Sequence, residues 1–245
     1  MTPPLPLLTF HAIADGSSPV VFSPLRFRAL MEGLAEAGWR GTTVSAALAS
    51  AGDKRVVGIC FDDGYRNVFE HAAPVLADLD FGATVFVVAD RCGRDNRWPG
   101  QPDWVPTMDL MDWNELGEVC AAGWEVGSHG RTHVDMTTLA PAKLADELEG
   151  SRTMLEARAG HPVRLLAYPG GELNATVVDA AREVYDAACS TRLSFVTAAD
   201  RTRPFALPRI DAYYLRRWPQ ELSLDSPVTR GYLAARAMIR RLRQL

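Results

Sequence analysis

The sequence predicts an α/β protein whose strands form one parallel sheet, closed or nearly closed into a barrel, with helices packed outside it. Three observations lead there. Short apolar runs with β-branched or aromatic content alternate with longer stretches of helical period, and a repeated β-turn-α phrase is the pattern of a parallel sheet. The chain has 245 residues without an internal repeat or low-complexity linker, a length at which barrels commonly form a single domain. No GxGxxG turn supports an open dinucleotide-binding sheet.

Taken in order, Leu5–Phe10 reads as the first strand and Pro24–Ala37 as the first helix, stopped by Gly38. Val56–Phe61 is a strand, Val68–Leu79 a helix and Ala83–Ala89 a strand. Residues Asp90–Leu110 then break the alternation. They hold two Trp, three Pro and two Gly over a span too long for an ordinary connection, and such loops are often functional. Trp113–Ala122 is a helix closed by Gly123, and Trp124–Val126 a strand. Thr138-Leu139-Ala140-Pro141 caps a helix running to Ala159 and ending at Gly160. Arg164–Tyr168 is a strand and Ala175–Ala188 a helix. Residues 229–245 read as a helix carrying Arg230, Arg236, Arg240, Arg241 and Arg243. The chain therefore divides into a barrel over 1–215 and a basic helical extension over 216–245 packed on or near it.

Composition narrows the function. A hydrophobic fraction of 47%, with 23% charged and 9% aromatic residues, is ordinary for a globular chain. With 26 Lys+Arg against 30 Asp+Glu, a net charge of −4 gives no electrostatic reason to expect a nucleic-acid partner. Cys60, Cys92, Cys120 and Cys189 are far apart and form no CxxC pair, which fits a reducing compartment better than a disulfide scaffold. The start, MTPPLPLLTFHAI, lacks the basic and uninterrupted apolar regions of a signal peptide. No apolar run approaches the roughly 20 residues that span a bilayer. The expectation is a cytoplasmic protein.

Two motifs carry the chemistry. In Val56-Val57-Gly58-Ile59-Cys60-Phe61-Asp62-Asp63-Gly64-Tyr65, an apolar strand delivers two carboxylates to a glycine turn at its C-terminal end. Active sites of parallel α/β folds collect there. Adjacent Asp residues on extended chain point apart, so one can serve a metal and the other a water; a helix N-cap fits the same residues. In Gly127-Ser128-His129-Gly130-Arg131-Thr132-His133, two His four residues apart face one side of a helical turn and can hold one ion, unless the spacing is coincidental. Two imidazoles and one carboxylate leave coordination positions open, as catalytic rather than structural sites do.

These residues together resemble the NodB-homology polysaccharide deacetylases, carbohydrate esterase family 4. Leu110-Met111-Asp112-Trp113, Ala122–Gly127, Ala167-Tyr168-Pro169-Gly170-Gly171 and Leu207-Pro208-Arg209-Ile210 extend the resemblance over roughly residues 5–215. It implies a distorted (β/α)7-type barrel with the site at the strand C-terminal ends. It also implies Asp63, His129 and His133 as metal ligands, Asp62 as general base toward the attacking water, and the Tyr65 N–H as a donor to the oxyanion. The metal is one divalent ion, zinc by default, with nickel, cobalt or iron as alternatives. Two departures stand out. No His follows His161 to serve as the family's late general acid, but His11 ends the first strand, as in the circularly permuted poly-N-acetylglucosamine deacetylase branch, and is the expected acid. Ala167 stands where many members carry an arginine that orients the catalytic Asp, and Arg209 is the expected replacement.

Tyr168, Pro169 and Gly170 are candidates for the sugar pocket, or for a plain strand-ending turn. Trp98, Trp104 and Trp113 either stack on sugar rings or pack. Cys60 reads as a buried small side chain. The expected activity is removal of an N-acetyl or similar N-acyl group from an amino sugar, as a cytoplasmic glycan or lipid-linked precursor. A related C–N hydrolase acting on a small non-sugar amide and a catalytically inert sugar-binding barrel are the alternatives. The basic C-terminal helix either packs as a solvated helix or contacts an anionic membrane surface, which would place the protein at the membrane's inner face.

Overall fold

The structure is a computed structural model and describes residues 3–50, 55–216 and 224–243. The strands are β1 (Leu7–Phe10), β2 (Ala12–Ile13), β3 (Val21–Phe22), β4 (Arg40–Thr42), β5 (Val56–Phe61), β6 (Thr84–Val87), β7 (Glu125–Ser128), β8 (Leu165–Ala167), β9 (Ala187–Leu193) and β10 (Leu207–Asp211). The helices are α1 (Pro24–Glu36), α2 (Val44–Ala49), α3 (Arg66–His71), α4 (Ala73–Asp78), α5 (Trp113–Ala121), α6 (Pro141–Ala145), α7 (Ser151–Ala159), α8 (Ala175–Val184), α9 (Ala198–Thr202) and α10 (Pro227–Arg243).

Seven strands close a parallel ring in the order β1, β5, β6, β7, β8, β9, β10 and back to β1. This is the (β/α)7 barrel the sequence predicts. β4 pairs with Val56–Gly58 at the start of β5, while β6 takes Cys60 and Phe61 at its end, so β4 lies beside the ring without entering it.

Strand side chains alternate between the two faces of the wall. Leu7, Val56, Cys60, Phe86, Leu165, Ala167, Ala187, Cys189 and Leu207 form one apolar cluster, which fills the barrel. Leu8, Phe10, Val57, Ile59, Phe61, Val85, Val126, Leu166, Ala188 and Ile210 belong to the larger cluster between wall and helices. The interior is narrow. A Cβ on Gly127 would lie 2.5 Å from the Phe86 ring, so glycine is required on that strand.

The same crowding explains an error of sequence reading. Expected as the end of a helix over Ala175–Ala188, Ala187 and Ala188 instead begin β9, and α8 stops at Val184. Small residues suit the tight wall but imitate helical composition. The helix expected over Val68–Leu79 divides at Ala72 into α3 and α4, with Pro74 in the first turn of α4. The helix expected over Pro141–Ala159 is continuous, but it contains one wide π turn at Asp146–Gly150.

From the extension, α10 packs beside β9. Leu233 is buried, the Tyr232 hydroxyl donates to the Tyr214 carbonyl, and Arg240 Nη1 donates to the Thr191 carbonyl at 2.9 Å. Val228, Met238, Ile239 and Leu242 are exposed. Of the remaining extension, residues 217–223 and 244–245, and the side chains of Arg241 and Arg243, lie outside the described residues. No helix among the described residues is long and apolar enough to cross a membrane.

Candidate metal and catalytic site

β5 aims Val56, Cys60 and then Asp62 toward the barrel axis by simple alternation. Asp62 extends the pairing with β1 by donating its N–H to the Phe10 carbonyl at 2.9 Å. The chain then turns sharply through two left-handed residues, Asp63 (φ 72°) and Gly64 (φ 79°). Glycine adopts this conformation freely, whereas aspartate does so at a cost, and such outliers cluster at functional sites. The turn separates the directions of the two carboxylates.

Asp63 meets both histidines. Its Oδ1 lies 3.3 Å from His129 Nε2 and 3.3 Å from His133 Nε2. Ligand atoms of the three residues all fall within 4.8 Å of one another, the one such group of three or more His, Cys, Asp or Glu among the described residues. The helical turn expected for the His pair is absent. His129 follows β7, and the chain reaches His133 through an irregular loop in which Gly130 (φ 73°) and His133 (φ 63°) are left-handed. A loop bent in this way brings residues four apart together as a helix would.

The donor set fits a divalent cation. His129 Nδ1 lies 2.7 Å from the Ala167 carbonyl, which can only accept, so Nδ1 carries a proton and Nε2 is the ring atom presented to Asp63 and to a cation. No hydrogen bond of regular geometry reaches Asp63 Oδ1, although it is buried. A buried carboxylate oxygen facing two imidazole nitrogens calls for positive charge, which a cation would supply and, without one, an imidazole proton supplies. Burial disfavours the ionised Asp63, yet His129 and His133 hold its carboxyl well below the usual carboxylate range. Burial would also depress His129, but Asp63 and Asp62 raise it instead; at His133 burial prevails and the imidazole is lowered.

Asp62 lies on the other side of this cluster. Arg209, only 2% exposed, projects from β10 and grips it through both nitrogens, Nη1 to Oδ1 at 2.6 Å and Nη2 to Oδ2 at 2.8 Å. Its Nε donates to the Ser190 carbonyl and its Nη1 to Thr9 Oγ1. Burial opposes the Asp62 charge, but the guanidinium outweighs it and keeps the carboxyl below its ordinary value. Because β1 pairs with β5 as Phe10 with Phe61, the next residue, His11, falls beside Asp62, with Nε2 3.9 Å from Oδ2.

Tyr65 is buried. Its bridge with Leu110 is closed by the N–H groups of Arg66 and Met111, so the Tyr65 N–H is left out of it. Burial, then the Asp63 charge, push its phenol up. Cys60 is buried as expected, with its thiol raised first by burial.

The residues expected in the sugar pocket separate. Tyr168 is 1% exposed and donates its hydroxyl to the Phe205 carbonyl, so its side chain anchors the barrel and offers no face to a sugar. Pro169 is buried and Gly170 exposed. Trp98 is buried too, stacked on the His133 ring at 4.0 Å between centroids, which makes it a support of that imidazole. Trp113 opens α5 with Arg158 over its ring. Trp104 is 56% exposed.

Sequence reading missed Asn96. The Asp90–Leu110 excursion folds back on itself through an Asp95–Asp109 bridge, fully burying Asn96, whose Nδ2 donates to the Tyr65 hydroxyl and to the Pro106 carbonyl, each at 3.0 Å. Glu147 was also missed. Its buried carboxylate lies against the loop between the two histidines. The unusual length of the excursion hinted at Asn96, whereas nothing local in the sequence singles out Glu147.

Comparison with known proteins yields consistent matches. A family model described as polysaccharide deacetylase matches residues 49–185. The chain is similar to YxkH of Bacillus subtilis (strain 168), whose name assigns it provisionally to the polysaccharide deacetylases, with 26% identity over 184 residues, 73% of this chain and 61% of that protein. It is also similar to the poly-beta-1,6-N-acetyl-D-glucosamine N-deacetylase of Staphylococcus aureus (strain MRSA252), 29% identical over 133 residues, 49% of this chain and 42% of that protein. The chain thus spans about half the length of these curated relatives. Among solved structures, IcaB from Ammonifex degensii superposes with a TM-score of 0.73 at 23% identity, covering 96% of this chain and 97% of that one, a likeness of fold.

Proposed function

The chain belongs to the polysaccharide deacetylase family, and from that premise we propose that it is a metal-dependent hydrolase removing an N-acetyl, or similar N-acyl, group from an amino sugar. The observation that carries this reading is the convergence of Asp63, His129 and His133 beside an Asp62 held by Arg209. A divalent ion held by those three residues, zinc by default and nickel, cobalt or iron as alternatives, would polarise the amide carbonyl and lower the pKa of a water toward about 7.

The protein's own groups supply the remaining chemistry. Asp62 accepts the proton of the attacking water. Arg209 keeps it ionised and, by binding both oxygens, fixes the carboxylate plane. The Tyr65 N–H donates to the oxygen that gains charge as the carbonyl becomes tetrahedral; one such preorganised donor is worth about 3–4 kcal/mol. His11, on the half-buried side of Asp62, protonates the amine nitrogen as the C–N bond breaks. Trp104, on the same excursion as Asn96 and Trp98, is exposed and offers an aromatic face to a sugar ring.

We further propose that α10 contacts an anionic membrane surface, so that the substrate is a lipid-linked or membrane-proximal sugar on the cytoplasmic side. Residues 227–243 contain five Arg and no Asp or Glu, while the exposed Val228, Met238, Ile239 and Leu242 supply an outward apolar stripe. Two such helices pressed together would repel, which favours an anionic bilayer over a second copy of the chain. The four cysteines are unpaired, in keeping with a reducing compartment.

Acetate release from a panel of N-acetylated sugars tests the activity, using metal-reconstituted protein beside Asp62→Asn. Release by the wild type that falls by about a hundredfold or more in the variant is expected for loss of a general base. Equal release by both, or none from any sugar, would defeat the mechanism.

A further inference from the structure

We propose that Glu147 is a positioning residue for the metal site, a carboxylate that touches no ligand atom yet sets the loop presenting His133. The proposal rests on the metal reading of Asp63, His129 and His133.

The loop between the two histidines has three residues, Gly130, Arg131 and Thr132. Its carbonyls face one neighbour. The Gly130 carbonyl accepts from Ala89 N–H at 3.1 Å and the Arg131 carbonyl from Asp90 N–H at 2.9 Å, just beyond β6. Its donors face another. Arg131 N–H and Thr132 N–H both point to Glu147 Oε2, at 2.7 and 3.1 Å, and the Thr132 hydroxyl donates to Oε1 at 2.6 Å. Both oxygens of a 6% exposed carboxylate are thereby committed to a two-residue stretch.

Two further features show a built contact. Glu147 sits in the wide turn Asp146–Gly150, and single π turns inside α-helices recur at functional sites. Gly130 is left-handed, and a Cβ there would come within 2.9 Å of Glu147 Oε2, so the close approach requires glycine. Beyond the clamped pair, the chain enters His133 at φ 63°, a strained conformation for a non-glycine residue that persists only when its surroundings enforce it. Clamping the two preceding amides supplies that enforcement from the N-terminal side, and Trp98 stacked on the imidazole supplies it at the ring. Without the carboxylate, the two amides lose their acceptor and His133 can relax toward ordinary backbone, moving its Nε2 away from Asp63.

The measurement is metal affinity in the full chain, by competition for Zn²⁺ against a chromophoric chelator, together with the visible absorption of Co²⁺-substituted protein. Glu147→Gln places an NH₂ group among three donors and should weaken Zn²⁺ binding by about 10–100-fold, the usual effect of losing an outer support of a metal ligand. Its Co²⁺ bands should also shift. Thr132→Val removes a single hydroxyl donor, preserves the fold should the first variant fail, and should weaken binding less. Glu156→Gln, altering a carboxylate on α7 that binds Val163 N–H and Arg152 away from this loop, should leave both readouts at wild-type values. Wild-type affinity and an unchanged Co²⁺ spectrum in Glu147→Gln, or in Thr132→Val if that variant alone folds, would overturn the proposal while leaving the metal reading intact. A wild type that binds no metal would overturn both.

Discussion

Arg209 and Asp62 form a buried, two-pronged ion pair. Taking one partner from such a pair strands the other charge, so the pair matters more for where Asp62 points than for net stability. Arg209→Lys keeps the charge but loses the planar fork. Its expected effects are a drop in kcat of about tenfold or more, a loss of about 1.5–3 kcal/mol of stability, and unchanged metal content. Metal analysis beside steady-state kinetics checks this, and an unchanged kcat would end the orienting role. Asp62, Asp63, His129 and His133 were legible because acid pairs at strand ends and spaced histidines are local patterns. Arg209 became legible only once Ala167 stood where an arginine was expected. Glu147 and Asn96 were not legible, since a carboxylate in a helix and an asparagine in a loop acquire roles only through neighbours remote in sequence.

At the scale of elements, β5 was read from its apolar run to the residue, whereas β9 was lost in an alanine-rich stretch. The short pieces β2, β3 and β4 carry too few residues to show a period. For α10, composition revealed the arginines but not their direction. Arg236 stacks over Tyr214 and Arg240 reaches the Thr191 carbonyl, so these two basic side chains serve the barrel contact while Val228, Met238, Ile239 and Leu242 face outward. Burying one such side chain is worth about 1.5–3 kcal/mol. Met238→Asp combined with Leu242→Asp should therefore weaken binding to anionic phosphatidylserine vesicles at least about tenfold without altering acetate release from a soluble substrate. Vesicle binding equal to wild type would remove membrane contact from the proposal.

For the whole molecule, acid response follows from the site. The folded Asp62 carboxyl lies below its ordinary value, so its stabilising contribution is present above the unfolded-state value of about 3.9 and is lost as pH falls through the lower, folded one. Metal-free wild type should be more stable than Asp62→Asn near neutrality, and the gap should close as pH drops below about 4. Thermal unfolding across pH measures it, and a gap constant into acid would contradict the assigned ionisation. The ring topology also has a kinetic consequence. Asp62 lies on the second ring strand in sequence, but its cation comes from the last, 147 residues away, and that cation also bonds Thr9, 200 residues away. Contacts of such long sequence separation form late, after costly loop closure. A chain still being synthesised carries Asp62, Asp63, His129 and His133 long before Arg209 arrives, so the grip on Asp62 is completed only when the final strand seals the barrel.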